Sequence, residues 1–191
     1  MNRNLLLAIM RSLIAMVTNI AQAKECKGLN FPDQTQVEGS NLTLNGLGLR
    51  QATMLKVSVY VAALYTAKPS ADPNAILGSD TPKELILQFV RDVGADDLRK
   101  GWEEGFDKNA KGQLPALKER IETFKGWTAD IKTGQRLTFV LKPGVGTQVD
   151  VNGMVKGTIK GDDFAKALLS IWLGDPPNPE IKSGLLGGAC G

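Results

Sequence analysis

The run from Met54 to Ala67 constrains the fold more than any other part of this chain. Leu55, Val57, Val59, Val61 and Ala63 alternate with Lys56, Ser58, Tyr60, Ala62 and Leu64. A period of two puts these sets on opposite faces of a β-strand. The second set begins polar and ends apolar, so the strand starts at a wet end and finishes buried on both faces.

Just before it, Gly46-Leu47-Gly48-Leu49-Arg50 places a guanidinium at the mouth of this apolar stretch. Arginine does not lose its charge inside a protein. Arg50 therefore requires an anion: an acid of the chain, with Asp92 and Glu84 as candidates, or a ligand. A planar fork suits a carboxylate bidentately. Tyr60 is the second candidate site residue. The ten-residue spacing puts it on the face of Arg50 if the strand is continuous; the alternative is core packing with the hydroxyl at an edge. Tyr65 has the opposite parity and reads as structural. Lys56 and Ser58 share the parity of Tyr60 and could reach a polar mouth, although lysines near a strand edge are usually solvated. Thr158 is a weaker candidate.

Strand signals occur at Thr35–Val37 and Leu42–Leu44 around the turn Glu38-Gly39-Ser40-Asn41, and again at 85–90, 136–141, 147–151 and 154–159. Asn152-Gly153 is the strongest hairpin signal in the chain. Helices are expected at 72–77, capped by Asp72 with Pro73 in its first turn. Others are expected at 95–108 (Leu98, Trp102 and Phe106 on one face), 114–125 (Leu117, Ile121 and Phe124 inward) and 162–173, with a short tail helix over 179–186. Strands, then helices, then strands, then a helix make an α+β domain, an antiparallel sheet with helices on one face. Trp102, Phe106, Phe124 and Trp172 are expected to pack the helical layer onto the sheet. Any pocket between the layers would share some of them. Arg91 and Asp92 are adjacent and face opposite ways on a strand, so they read as structural, joining strand to helix, with Arg91 reaching the pocket as the alternative.

The chain has no histidine, which excludes Ser–His and Cys–His dyads and removes the commonest general base and metal ligand. Two cysteines cannot build a structural zinc site alone, and no cofactor is expected. The first 23 residues hold Arg3 and Arg11, two of the 23 basic residues, and none of the 20 acidic ones. The remainder, 21 basic against 20 acidic, gives no electrostatic reason to seek nucleic acid. Residues 1–23 read as a signal peptide: Arg3 precedes an apolar run, and Ala21-Gln22-Ala23 fits a small-x-small cleavage site, leaving one domain over 24–191. The run is too short to span a bilayer. A periplasmic or secreted protein is expected. In an oxidising compartment Cys26 and Cys190 could close nearly the whole chain; otherwise they are two thiols on frayed ends.

The Gly46–Arg50 and Lys56–Tyr65 stretches, Phe89-Val90-Arg91-Asp92-Val93, Gly157-Thr158-Ile159 and Phe164–Gly174 together resemble the chalcone isomerase-like family over about residues 30–187, closest to its bacterial exported members. The resemblance implies an open-faced β-sandwich, an antiparallel sheet covered by helices. It also implies a choice of function. In the isomerases the matching arginine polarises the substrate ketone, so Arg50 would be the electrophile. In the fatty-acid binders that arginine and a strand tyrosine hold the carboxylate, matching Arg50 and Tyr60. The isomerase lysine has no equivalent among Trp102, Glu103 and Glu104, and the segment Asn109-Ala110-Lys111-Gly112-Gln113 lacks the isomerase tyrosine. The favoured expectation is an exported, non-catalytic protein that binds an amphipathic carboxylate such as a fatty acid. An intramolecular lyase and an interaction module without a small ligand are the alternatives.

Overall fold

The computed structural model describes residues 23–190. The expected signal peptide and its cleavage site lie almost wholly outside them. Seven strands form one antiparallel meander: β3 (Gln34–Val37), β4 (Ser40–Ala52), β5 (Val57–Thr66), β6 (Lys83–Phe89), β7 (Arg136–Lys142), β8 (Gly146–Val151) and β9 (Met154–Lys160), each beside its neighbour in sequence. A separate hairpin, β1 (Ala23–Cys26) with β2 (Leu29–Pro32), precedes them. Sequence reasoning missed this hairpin, because Lys27-Gly28 is a weak turn signal beside short, mixed strands. Both Glu38-Gly39 and Asn152-Gly153 turn with two left-handed residues, the geometry that matches strand twist in a two-residue hairpin.

The helices α1 (Pro73–Gly78), α2 (Ala95–Asn109), α3 (Leu114–Gly126), α4 (Asp162–Leu173) and α5 (Pro179–Leu185) stand close to where periodicity places them. Asp72 caps α1 by accepting from the Asn74 N–H at 2.9 Å. The main core lies between the sheet and the helices. Trp102, Phe106, Phe124, Phe139, Phe164 and Trp172 meet there in tilted and edge-on pairs 5.5–6.2 Å apart. A second core on the opposite face joins Leu42, Leu44, Leu47, Leu49, Val61, Ala63 and Tyr65 to Cys26 and Phe31 of the β1–β2 hairpin. The strand after Arg50 is thus buried on both faces, and the fold is the expected α+β open-faced sandwich.

Two irregularities depart from the strict alternation. Residues 46–52 belong to β4 rather than to a lead-in, and the expected strand start at Met54 is a turn, Thr53–Lys56, with β5 opening at Val57. Each strand also carries a bulge. In β4 the register passes from Leu44↔Tyr65 to Gly46↔Leu64, leaving Asn45 as the extra residue. That one-residue step keeps Leu42, Leu44, Leu47 and Leu49 on one face although their parity changes. In β5 the register passes from Arg50↔Tyr60 to Gln51↔Ser58, leaving Val59 extra. Val59 therefore packs against the helix-side core with Tyr60 instead of opposing it.

Asn45 is buried and uses its whole amide. Its Nδ2 donates to the carbonyls of Leu185 (2.6 Å) and Ser70 (3.0 Å), and its Oδ1 accepts from the Ser70 N–H at 2.7 Å and the Thr66 hydroxyl at 3.5 Å. The bulge thereby ties β4 to the 68–72 loop and to the end of α5. Asn45→Leu would leave the buried Leu185 carbonyl and Thr66 hydroxyl without this partner, at roughly 1–3 kcal/mol each, and would free the half-buried Ser70 backbone to water. The expected result is a loss of about 3 kcal/mol in denaturant melts with an unchanged m-value; a loss under about 1 kcal/mol would mean that water replaces the amide.

Cys26 and Cys190 are joined by a disulfide, with Cα atoms 6.0 Å apart. The alternative of two free terminal thiols is set aside. No helix of the described residues is long and apolar enough to cross a membrane.

Candidate functional site

Arg50 and Tyr60 share a face, but not along a continuous strand. They are direct cross-strand partners, Arg50 on β4 opposite Tyr60 on β5, and the row continues to Phe89 on β6. Antiparallel partners project to the same side. The even spacing leads to the right face through the wrong geometry, since a hairpin turn and a bulge intervene.

Above this row the helices leave a cavity of about 640 Å³, walled by Arg50, Ala52, Val59 and Tyr60 from the sheet, Arg91, Asp92 and Val93 after β6, Asp97, Leu98, Trp102, Glu104 and Gly105 from α2, Ile171 from α4, and Asp175 after it, so that it carries charges of both signs. This size suits a small-molecule ligand. Gly105 is needed where it stands: a Cβ there would come within 2.8 Å of the Ile171 side chain, so α2 and α4 meet closely behind the cavity.

Arg50 is half-buried, and no carboxylate pairs with it among the described residues. Neither intramolecular candidate pairs with it. Asp92 accepts from Lys132 Nζ at 3.1 Å and from the Thr133 N–H at 2.8 Å, and these bonds, the Thr133 N–H first, hold its carboxyl below the usual range. Glu84 pairs in register with Tyr65, which belongs to the opposite core; burial pushes its carboxyl upward. Arg50 donates instead to the Gln51 carbonyl and to Asn178 Oδ1 at 3.3 Å. Asn178, the residue before α5, also accepts from the Gln51 N–H and donates to the Leu49 carbonyl at 3.2 Å, so it clamps the guanidinium to the bulged edge of β4. These neutral partners orient the charge without cancelling it. Asn178 is inconspicuous in sequence, where Pro177 and Pro179 draw attention only as helix punctuation.

Tyr60 is buried, and its hydroxyl accepts the Trp172 indole N–H at 3.0 Å. Its own proton has no acceptor among the described residues. Burial pushes the phenol up, against the lowering pull of Trp172 and Arg50. Tyr60 therefore stays a neutral donor. Trp102, read from sequence as packing, lines the same cavity with a buried Nε1–H that lacks any partner among the described residues. Buried unsatisfied donors are rare enough to require an explanation. Trp172 packs as expected, and Tyr65 is structural: its hydroxyl donates to the Pro32 carbonyl at 2.9 Å.

Arg91 is exposed and lines the cavity rather than serving only to join strand and helix, while Asp92 keeps the structural role. Lys56 sits in the turn 4.0 Å from Glu180, and neither it nor Ser58 reaches the cavity. A lysine does reach the wall from α2: Lys108, six residues beyond Trp102, held by Asp175 at 3.0 Å. Thr158 is exposed on β9 and takes no part. A second cavity of about 250 Å³ contains the buried Lys83, whose ammonium donates to the Ser79 and Thr81 carbonyls and so closes the end of α1.

The family model described as chalcone isomerase-like matches residues 23–187. The chain belongs to the chalcone isomerase-like family. No curated protein matches it. Among solved structures this family member is similar to the crystal structure of an Arabidopsis thaliana fatty-acid binding protein, with 18% sequence identity and a TM-score of 0.64 over 86% of this chain and 96% of that one. Likeness at that identity establishes the shared fold, including the antiparallel sheet under helices.

Proposed function

We propose that this protein is an exported, non-catalytic binding protein that holds an amphipathic carboxylate, such as a fatty acid, between sheet and helices. The observation that carries the reading is a clamped Arg50 guanidinium without an acid partner among the described residues, at the wall of a cavity beside Tyr60, whose hydroxyl proton has no acceptor among them. Arg50 pairs with the carboxylate, Tyr60 donates a hydrogen bond to it, and the acyl chain lies along Val59, Leu98 and Ile171. The Arabidopsis neighbour, described as a fatty-acid binding protein, supports this reading. The Cys26–Cys190 bridge supports export over 24–191 after removal of residues 1–23, since such bridges persist in oxidising compartments.

Displacement of a fluorescent fatty acid tests the site. A hydrogen bond to a charged group contributes about 1.5–3 kcal/mol, so Arg50→Gln should weaken a long-chain acid by roughly 10- to 150-fold. The matching alcohol should lose little. Tyr60→Phe should cost the acid about fivefold, near 1 kcal/mol. Equal losses for acid and alcohol in Arg50→Gln would remove the ion pair from the account.

A further inference from the structure

The second cavity, of about 250 Å³, lies on the helix side at the end of the sheet opposite Arg50. The end of α1, the Ser79–Thr81 loop, the start of β6, the end of β7 and the first half of α4 enclose it. It shares no lining residue with the first cavity and takes no part in the function proposed above. Its volume falls below the range of about 300–1,000 Å³ usual for drug-sized ligands, so it suits a smaller molecule.

Lys83 sets its chemistry. The residue is only 5% exposed, and lysine is seldom buried so completely without an ionic partner. No carboxylate of the described residues lies within ion-pair distance of it. Its Nζ donates instead to the Ser79 and Thr81 carbonyls, at 2.8 and 2.9 Å. Both acceptors belong to residues that line the cavity, so the nitrogen stands at its wall. Two carbonyls account for two of the three hydrogens of an ammonium. The third has no acceptor among the described residues. The neutral amine leaves no donor unsatisfied. Its two N–H bonds serve the same two carbonyls, and the fourth position on nitrogen is a lone pair. Burial works in the same direction: it lowers the pKa of Lys83, against the raising influence of Asp80 and Asp162. Closing the end of α1 explains the two carbonyl bonds. It does not explain why an amine, costly to bury as a charge, serves there at the wall of a cavity.

The other charged groups of the wall are Asp80 from the loop, Lys142 from β7, and Asp162 and Lys166 from α4. Lys142 gives its ammonium to Glu38 and Gln148, and Asp162 accepts the Gly144 N–H at 2.9 Å. Lys166 is exposed, and its ammonium has no acceptor among the described residues. The two carboxylates oppose a bare anion beside Lys83, whereas a carbonyl carbon is neutral and meets a lone pair. We infer that Lys83 is a nucleophilic amine that captures a small α-oxo acid in this cavity as a Schiff base. The Nζ lone pair attacks the carbonyl carbon. The two amine hydrogens leave with the carbonyl oxygen as water, and nitrogen ends doubly bonded to carbon. Neither oxidant nor reductant takes part. The carboxylate of the acid pairs with Lys166. Protonated at nitrogen, the Schiff base keeps one N–H for the Ser79 and Thr81 carbonyls.

The experiment treats the purified protein with glyoxylate near neutral pH. Sodium cyanoborohydride reduces any Schiff base to a stable secondary amine, and peptide mass mapping follows the label at each lysine. Lys83 should be labelled about tenfold or more faster than the exposed Lys100 and Lys118, since an amine of lower pKa holds more of its reactive form. Lys166→Gln, a change at an exposed position, should slow the labelling of Lys83 by glyoxylate about fivefold. Labelling by acetaldehyde, which has no carboxylate, should change little. The comparison of lysines uses the wild-type protein, so it does not depend on a Lys83 variant that folds. Labelling of Lys83 no faster than that of Lys100 and Lys118 overturns the inference. Equal slowing of both aldehydes in Lys166→Gln overturns the selection of an α-oxo acid.

Discussion

Cys26→Ser/Cys190→Ser should lose about 4 kcal/mol of unfolding free energy, the largest effect expected of any surface-neutral change in this protein. The bridge spans 164 residues. Cross-linking so long a loop removes much of the freedom of the unfolded chain, by about 5 kcal/mol in the chain-entropy account and typically 2–4 kcal/mol in practice. In the folded protein the bridge acts on its immediate surroundings only. Cys26 ends β1 and belongs to the core that holds Phe31 against Leu42 and Tyr65, and Cys190 follows α5. Without the bridge, the β1–β2 hairpin and the tail after α5 would each depend on noncovalent packing alone. Thermal and denaturant melts of the oxidised wild type and the double serine variant measure the effect. A domain of this size should lose on the order of 10 °C in Tm. A loss below about 1 kcal/mol would mean that the unfolded chain is already compact enough for the bridge to constrain little.

The second large effect concerns Gly48. A Cβ built there would lie 2.3 Å from the Ile181 carbonyl oxygen and 2.8 Å from its side chain; at Gly46 it would lie 2.1 Å from the Gly184 oxygen. The approach is mutual, since a Cβ on Gly184 would meet the Leu47 oxygen at 2.2 Å. Three glycines thus let the backbone of α5 rest directly on that of β4. Overpacking costs about 1–3 kcal/mol where side chains can yield, and here much of the obstruction is backbone. Gly48→Ala should therefore cost about 3 kcal/mol or more. It should also weaken acid binding, because displacing α5 moves Asn178, which orients Arg50. Gly101→Ala, in the middle of α2 with nothing near its would-be Cβ, is the control for stability. It should gain up to about 1 kcal/mol. A Gly48→Ala protein as stable as wild type would show that α5 can shift outward without penalty.

Much of the fold is legible in the sequence because most of its elements obey one period each. Leu98, Trp102 and Phe106 read as one helical face, and they are that face. Asn152-Gly153 reads as a hairpin and is one. The family motifs point to the sheet-and-helix arrangement that the structure shows. What escapes is whatever depends on a residue out of step or on an approach from far along the chain. Asn45 and Val59 are bulges, and a bulge is invisible to a strict period of two. It is Val59 that turns the start of β5 toward the cavity. The glycines at 46 and 48 look like part of a motif leading to Arg50; their reason, the close approach of α5, lies at the other end of the chain. Asn178 is hidden for the same cause. Arg50 and Tyr60 are legible as neighbours on one face, while Trp102 and Arg91 read as packing and as a joint. An indole that is mostly core by pattern reveals its unpaired N–H only when its surroundings are known.

The clamp on Arg50 also imposes an order in time. Every strand of the meander can find its partner as soon as the next one is made, yet Asn178 and the helix that follows it come after all seven strands. Until they arrive, the guanidinium sits on a bare strand edge with its neighbouring N–H groups open to water. A nascent or truncated chain can therefore form most of its sheet while holding no competent anion site. On the proposed function, ligand capture waits for α5 to dock on β4, and occupancy would report that docking.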